Sequence, residues 1–182
     1  MNWNTQIDTV TAEFNTTFGA LSPAQLNWKP NAATWSVAQN IDHLIQINKS
    51  YYPVIDQLKA GKLQLPWMAR VGFMVSFFGK MILKSVHPDS RRKMKTFPIW
   101  EPSSSDLPGD ILHQFGQHQE ELKRQIATSA EWIQQRAVIH SPANKKIVYS
   151  LDKAFDIILT HELRHLEQAK ELLVQIKNHS VH

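Results

Sequence analysis

Residues Leu151 to Lys177 read LDKAFDIILTHELRHLEQAKELLVQIK, and this stretch decides the fold. Ala154, Phe155, Ile158, Ala169, Leu172, Leu173 and Ile176 recur at helical spacing and fall on one face, which predicts a long amphipathic helix. His161 and His165 lie four apart, so at ~100° per residue they sit about 40° apart, one turn up the same face. Projected with Ile158 and Ala169, both histidines follow the apolar stripe and point toward a core. Two imidazoles in that position need partners or a metal, and a pair at this spacing favours a shared ion over two hydrogen-bonded core histidines.

The rest of the chain supplies helices for this one to pack against. Trp3, Ile7, Val10, Phe14, Phe18 and Leu21 form the stripe of a first helix ending around Gly19. Ser22-Pro23 can open a short helical turn, and Lys29-Pro30-Asn31 breaks the chain. A second long helix starts near Thr34 or Ser36 and carries Val37, Ile41, Leu44, Ile45, Tyr51, Tyr52, Ile55 and Leu58, with Pro53 inside it. A third opens at Ser105 or Asp106 with Pro108 and carries Ile111, Phe115, His118, Leu122 and Ile126. No run of residues reads as a strand. Four long amphipathic helices without a sheet predict an all-α four-helix bundle, with sites in its core built by facing helices.

Between the second and third helices lie an extra helix and a long loop. Trp67 to about Lys84 is apolar nearly all round, with Arg70, Lys80 and Lys84 within ~80° of each other, and predicts a buried accessory helix. An interfacial or dimer helix is the sharper alternative. Its nine uninterrupted residues, Val71 to Gly79, are too few for the ~20 that span a bilayer, so no membrane span is expected. Ser85 to Ser105, with Pro88, Pro98, Pro102 and three consecutive serines, reads as a long connection of the kind that often covers a site.

Composition narrows the function classes. The 182 residues, 42% hydrophobic and 20% charged, suit one globular domain over residues 1–182 and exclude disorder for most of it. A net charge of +4 is mild and spread along the chain, so nucleic acid is not an expected partner. The basic run Arg91-Arg92-Lys93-Met94-Lys95 reads first as a solvated loop and second as an attractor for an anionic cofactor. Met1 to Ala20 shows neither a basic n-region nor an apolar h-region, which predicts a cytoplasmic protein. Cysteine is absent, so disulfides, thiolate-metal sites and a protein thiol nucleophile are excluded, and any metal must sit on His, Asp or Glu.

His161-Glu162-Leu163-Arg164-His165 also spells the H-E-x-x-H of zinc peptidases, where the Glu is the general base. The fit is local: Gln168 and Glu171 stand where the metzincin extension wants Gly and His, and the remaining histidines, His179 and His182, lie in the tail. Glu162 itself, beside the core stripe, reads as solvated or as a support for the histidine pair. A third ligand should come from another helix. His43 sits at the edge of the second helix's apolar arc and His118 is better centred on its own stripe, so spacing leaves both open.

Leu21-Ser22-Pro23-Ala24-Gln25-Leu26-Asn27-Trp28-Lys29-Pro30, then Trp35-Ser36 with His43-Leu44, then His161 and His165 followed by Gln168, resemble the DinB-like superfamily, in order and over nearly the whole chain. The resemblance implies a four-helix bundle of DinB/YfiT-like type in which one His of the second helix and an H-x-x-x-H pair of the fourth hold a divalent metal. By position these are His43, His161 and His165, which leaves His118, with Glu162, as a substrate contact or a support for the ligands. Relatives include thiol transferases that use a low-molecular-weight thiol, and a mycothiol-dependent isomerase. The implied activity is thus transfer of such a thiol to a small electrophile, or hydrolysis of a small substrate, with a non-catalytic metal- or ligand-binding stress-response bundle as the alternative. Three imidazoles suit zinc first, with nickel and iron as alternatives. A homodimer is compatible with the greasy accessory helix and with what relatives often do.

Overall fold

The structure, a computed structural model, describes residues 2–90 and 96–179; the basic run at 91–95 and His182 lie outside it. Four helices build the bundle: α1 (Trp3–Phe18), α3 (Val37–Lys59), α5 (Ile111–Ala127) and α7 (Leu151–His179), with a short α2 (Pro23–Asn27) between the first two. α1 and α3 each pack against both α5 and α7. α1 buries Ile7, Val10, Phe14 and Phe18, the stripe expected from its periodicity.

Local chemistry sets the helix starts. Ser22 and Ser36 each accept from the backbone N–H three residues on, while Gln25 and Gln39 return a bond to the capping residue's own N–H. α3 continues through Pro53 and stops at Gly61, whose φ of 66° suits glycine and lets Lys62 N–H reach back to Gln57 O at 2.8 Å. α5 begins later than the expected Ser105 or Asp106. The Asn27 amide bonds both the N–H (2.9 Å) and the C=O (2.8 Å) of Leu107, taking that backbone out of any helix while Leu107 itself enters the core.

Two expectations are corrected. Residues Val138–His140 and Val148–Ser150 form β1 and β2, an antiparallel pair in which Ile139 faces Tyr149, after a short α6 (Ala130–Gln134). Strands of three residues are shorter than the four-to-eight-residue run that shows alternation in sequence. The accessory helix, α4 (Gly72–Ser85), is not buried: it lies against β2 and α7 through one side, while Phe73 is 77% and Phe77 52% exposed. Among the described residues no helix is long and apolar enough to cross a membrane.

The core falls into two apolar clusters, one around Phe14, Phe18, Ile41, Phe115 and Leu166, the other around Ile7, Ile55, Leu122, Phe155 and Ile158. Polar side chains interrupt three of the four helices between them: Asn48 on α3, His118 and Gln119 on α5, and His161, Glu162 and His165 on α7. A buried layer of this kind is tolerated only where its groups are bonded to one another or to a ligand.

Candidate metal centre

His43 comes from the second turn of α3, and His161 and His165 come from successive turns of α7, two helices that pack directly on each other. One ligand-capable nitrogen from each of the three lies within 4.8 Å of the others, and among the described residues these three form the only such group. The Nε2 atoms of His161 and His165 are 3.0 Å apart. Two imidazole nitrogens bound to one ion at ~2.0–2.1 Å stand roughly 3 Å from each other, so the spacing fits a shared ion.

Tautomers follow from the partners. The Asn40 amide donates through Nδ2 to Ser36 O at 2.8 Å, so its Oδ1 must accept, and His165 donates to it from Nδ1 at 2.7 Å. His43 donates from Nδ1 to the carbonyl oxygen of Trp100. Each ring is thereby turned with Nε2 as its unprotonated nitrogen, the arrangement that lets a neutral imidazole bind a metal. Burial is the largest cause holding all three below the usual histidine range; for His161 and His165 the neighbouring imidazoles and Arg164 push the same way. The Trp35 ring stacks against His165 at 6.1 Å between centroids and tilts over His43 at 4.9 Å, shielding that flank.

The loop after α4 is strapped along α3 by four hydrogen bonds. Gln39 Nε2 donates to Ser104 O, Asp42 Oδ2 accepts from Ser103 N–H, His43 donates to Trp100 O, and Trp100 Nε1 donates to Ser50 Oγ. The segment from Trp100 to Ser104 of the long connection therefore lies over the site. Asn40 and the Trp100 carbonyl were not singled out from the sequence. An amide inside a helix and a loop carbonyl carry no signature until their partners, 125 and 57 residues away, are known.

His118 is buried on α5 but stands outside the triad; its Nδ1 is 3.5 Å from the Tyr52 hydroxyl and its Nε2 has no hydrogen-bond partner. Glu162 is not solvated. It is fully buried, accepting from Asn48 Nδ2 at 2.7 Å and Gln119 Nε2 at 3.0 Å, and burial pushes its carboxyl up to about 7 against the pull of those two bonds. Both carboxylate oxygens are thus engaged toward α3 and α5, which does not suit the peptidase base of the H-E-x-x-H pattern.

A family model described as the DinB superfamily matches residues 6–169. No curated protein and no solved structure matches the chain at a significant level. The match runs from α1 through both histidines of α7 and takes in the whole three-histidine cluster, so the chain belongs to the DinB superfamily.

Proposed function

We propose that His43, His161 and His165 hold a divalent metal, zinc before nickel or iron, and that the chain is an enzyme transferring a low-molecular-weight thiol to a small electrophile. The observation that carries this reading is the convergence of three neutral imidazoles with no fourth protein ligand in the group among the described residues. Such a donor set leaves positions for an exogenous molecule. An ion bound there acts as a Lewis acid and lowers the pKa of a thiol or water placed on it.

The chain's own part is orientation and exclusion of water. Trp100 O and Asn40 Oδ1 hold His43 and His165 in the ligating tautomer, Trp35 closes one flank, and the strapped loop roofs the site. Without a cysteine of its own, the protein draws its sulfur nucleophile from solution. Water in the thiol's place would make the activity a hydrolysis of a small substrate. A cytoplasmic setting suits this chemistry because low-molecular-weight thiols are kept reduced there. The exposed aromatic side of α4 is the surface on which two copies would meet.

The test is metal content of untagged protein, native against a His161→Ala, His165→Ala double variant, followed by turnover across a panel of thiols and electrophiles. About one equivalent in the native chain and none in the variant, with metal-dependent turnover, supports the enzyme. Bound metal without turnover assigns the chain a binding role. A native protein unable to take up zinc, nickel or iron overturns the metal reading.

A further inference from the structure

Next to His161 the bundle holds a cavity of about 90 Å³, enclosed by α3, the end of α4, the loop at Trp100, the β-hairpin and α7. Its wall is almost wholly carbon, for a reason visible in the bonding. Most polar side chains that reach it have polar atoms engaged elsewhere: the Tyr51 and Tyr149 hydroxyls bond each other at 2.9 Å, Ser85 Oγ donates to Ile82 O, Trp100 Nε1 donates to Ser50, and Asn144 Oδ1 accepts from Lys146 N–H. Among the described residues no Lys, Arg, Asp or Glu lines the space. Away from Asn48 and His161 water would be held poorly, since a buried water needs ~2–4 polar partners. A charged ligand would lose its hydration with no counter-charge to replace it.

Among the described lining residues, two carry buried polar atoms that stay open. Asn48 Oδ1 and His161 Nδ1 are buried and have no hydrogen-bond partner. They offer an acceptor and, with Nε2 of His161 ligating, a donor.

We propose that this cavity is the recognition pocket for an uncharged alkyl or aryl group of the substrate, a single ring or short branched chain, whose polar end lies toward His161 and Asn48. The substrate's role rests on the proposed metal chemistry, whereas the binding of an apolar group does not. The size follows from the space: a closed cavity of ~150 Å³ accommodates benzene. This one is smaller but has an opening, so only the inserted part of the ligand has to fit. Selection against charged groups follows from the lining.

The experiment is a methyl NMR titration of isoleucine-labelled protein with toluene, and separately with benzoate and benzylammonium. Toluene is expected to shift Ile47, Ile82, Ile147, Ile157 and Ile158, which line the cavity, and to leave Ile7 and Ile41 unmoved. It should bind at least tenfold tighter than either charged analogue, and Val86→Phe, which fills the lining, should weaken it at least tenfold with the remaining methyl spectrum preserved. Absence of shifts at saturating toluene, shifts confined to other isoleucines, or equal binding of benzoate would overturn the proposal. Repeating the titration with zinc separates the two readings. Zinc uptake with no toluene shifts removes the pocket and keeps the metal; toluene shifts in a protein that takes up no zinc do the reverse.

Discussion

The Nδ1 of His165 donates to Asn40 Oδ1 across 2.7 Å, tying the ring on α7 to an amide on α3 that is itself anchored to Ser36 O. That bond sets which nitrogen of His165 faces the other two imidazoles. Asn40→Ala should therefore weaken zinc binding by about 10–100-fold while the bundle stays folded. Asn40→Asp keeps the acceptor and should recover most of the loss. Competition against a chromophoric chelator reads both; an Asn40→Ala protein that binds zinc like the native chain would show that His165 needs no such support.

Glu162 predicts a different split. Its side chain fills the polar layer and satisfies Asn48 and Gln119, so Glu162→Ala leaves a void and two unpaired buried amides, at a cost of about 2–4 kcal/mol in urea unfolding. Glu162→Gln keeps the shape, and Gln119 can turn its unpartnered Oε1 to accept from the new amide. The expected change is under about 1 kcal/mol at neutral pH. Equal destabilisation by the two substitutions would contradict this account of the layer.

His118 gives the pH dependence. Burial, helped by Lys49, holds its imidazole down at about 4 from the ordinary 6.5, with Glu121 pulling the other way. Between those values the unfolded chain binds a proton that the folded chain refuses, so stability is lost as pH falls through the window and is level below it. The contribution is on the order of 3 kcal/mol across the window. Urea midpoints of chelator-treated protein at pH 7 and 4.5 should differ less for His118→Gln than for the native chain. A variant with an unchanged pH slope would mean that His118 titrates normally.

These residues also show what a sequence can reveal. The four long helices were legible because each carries an apolar stripe built mainly of three- and four-residue steps, and His161 with His165 because both interrupt such a stripe on its buried side. His43 was not selected by its helical position; only the resemblance placed it with the pair, and the structure brings the three rings together. Of the two readings of Glu162 the solvated one fails, because burial at the edge of a stripe depends on Asn48 and Gln119, 114 and 43 residues away. α4 was misread for the opposite reason. A segment apolar on every side reads as buried, yet among the described residues α4 packs on the bundle through the side against β2 and α7 and leaves Phe73 and Phe77 exposed.

That one-sided docking makes the last prediction. Gly79 is buried where α4 meets the hairpin and α7; a Cβ there would stand 2.9 Å from Lys153 Cγ and 3.3 Å from Tyr149 Cβ. Gly79→Leu must push the helix outward and should cost about 1–3 kcal/mol, even though leucine is the better helix former. On the far side, Phe73 and Phe77 stack on each other at 6.1 Å between centroids, with most of Phe73 in solvent. Phe73→Ser should leave stability within about 0.5 kcal/mol. If two copies meet on that face, Phe73→Ser with Phe77→Ser should lower the sedimentation coefficient toward that of one chain, while Gly79→Leu lowers the unfolding temperature. A double serine variant that sediments like the native protein rules that face out as the contact between copies. Native-like melting of Gly79→Leu would show instead that α4 is not seated on the bundle through Gly79.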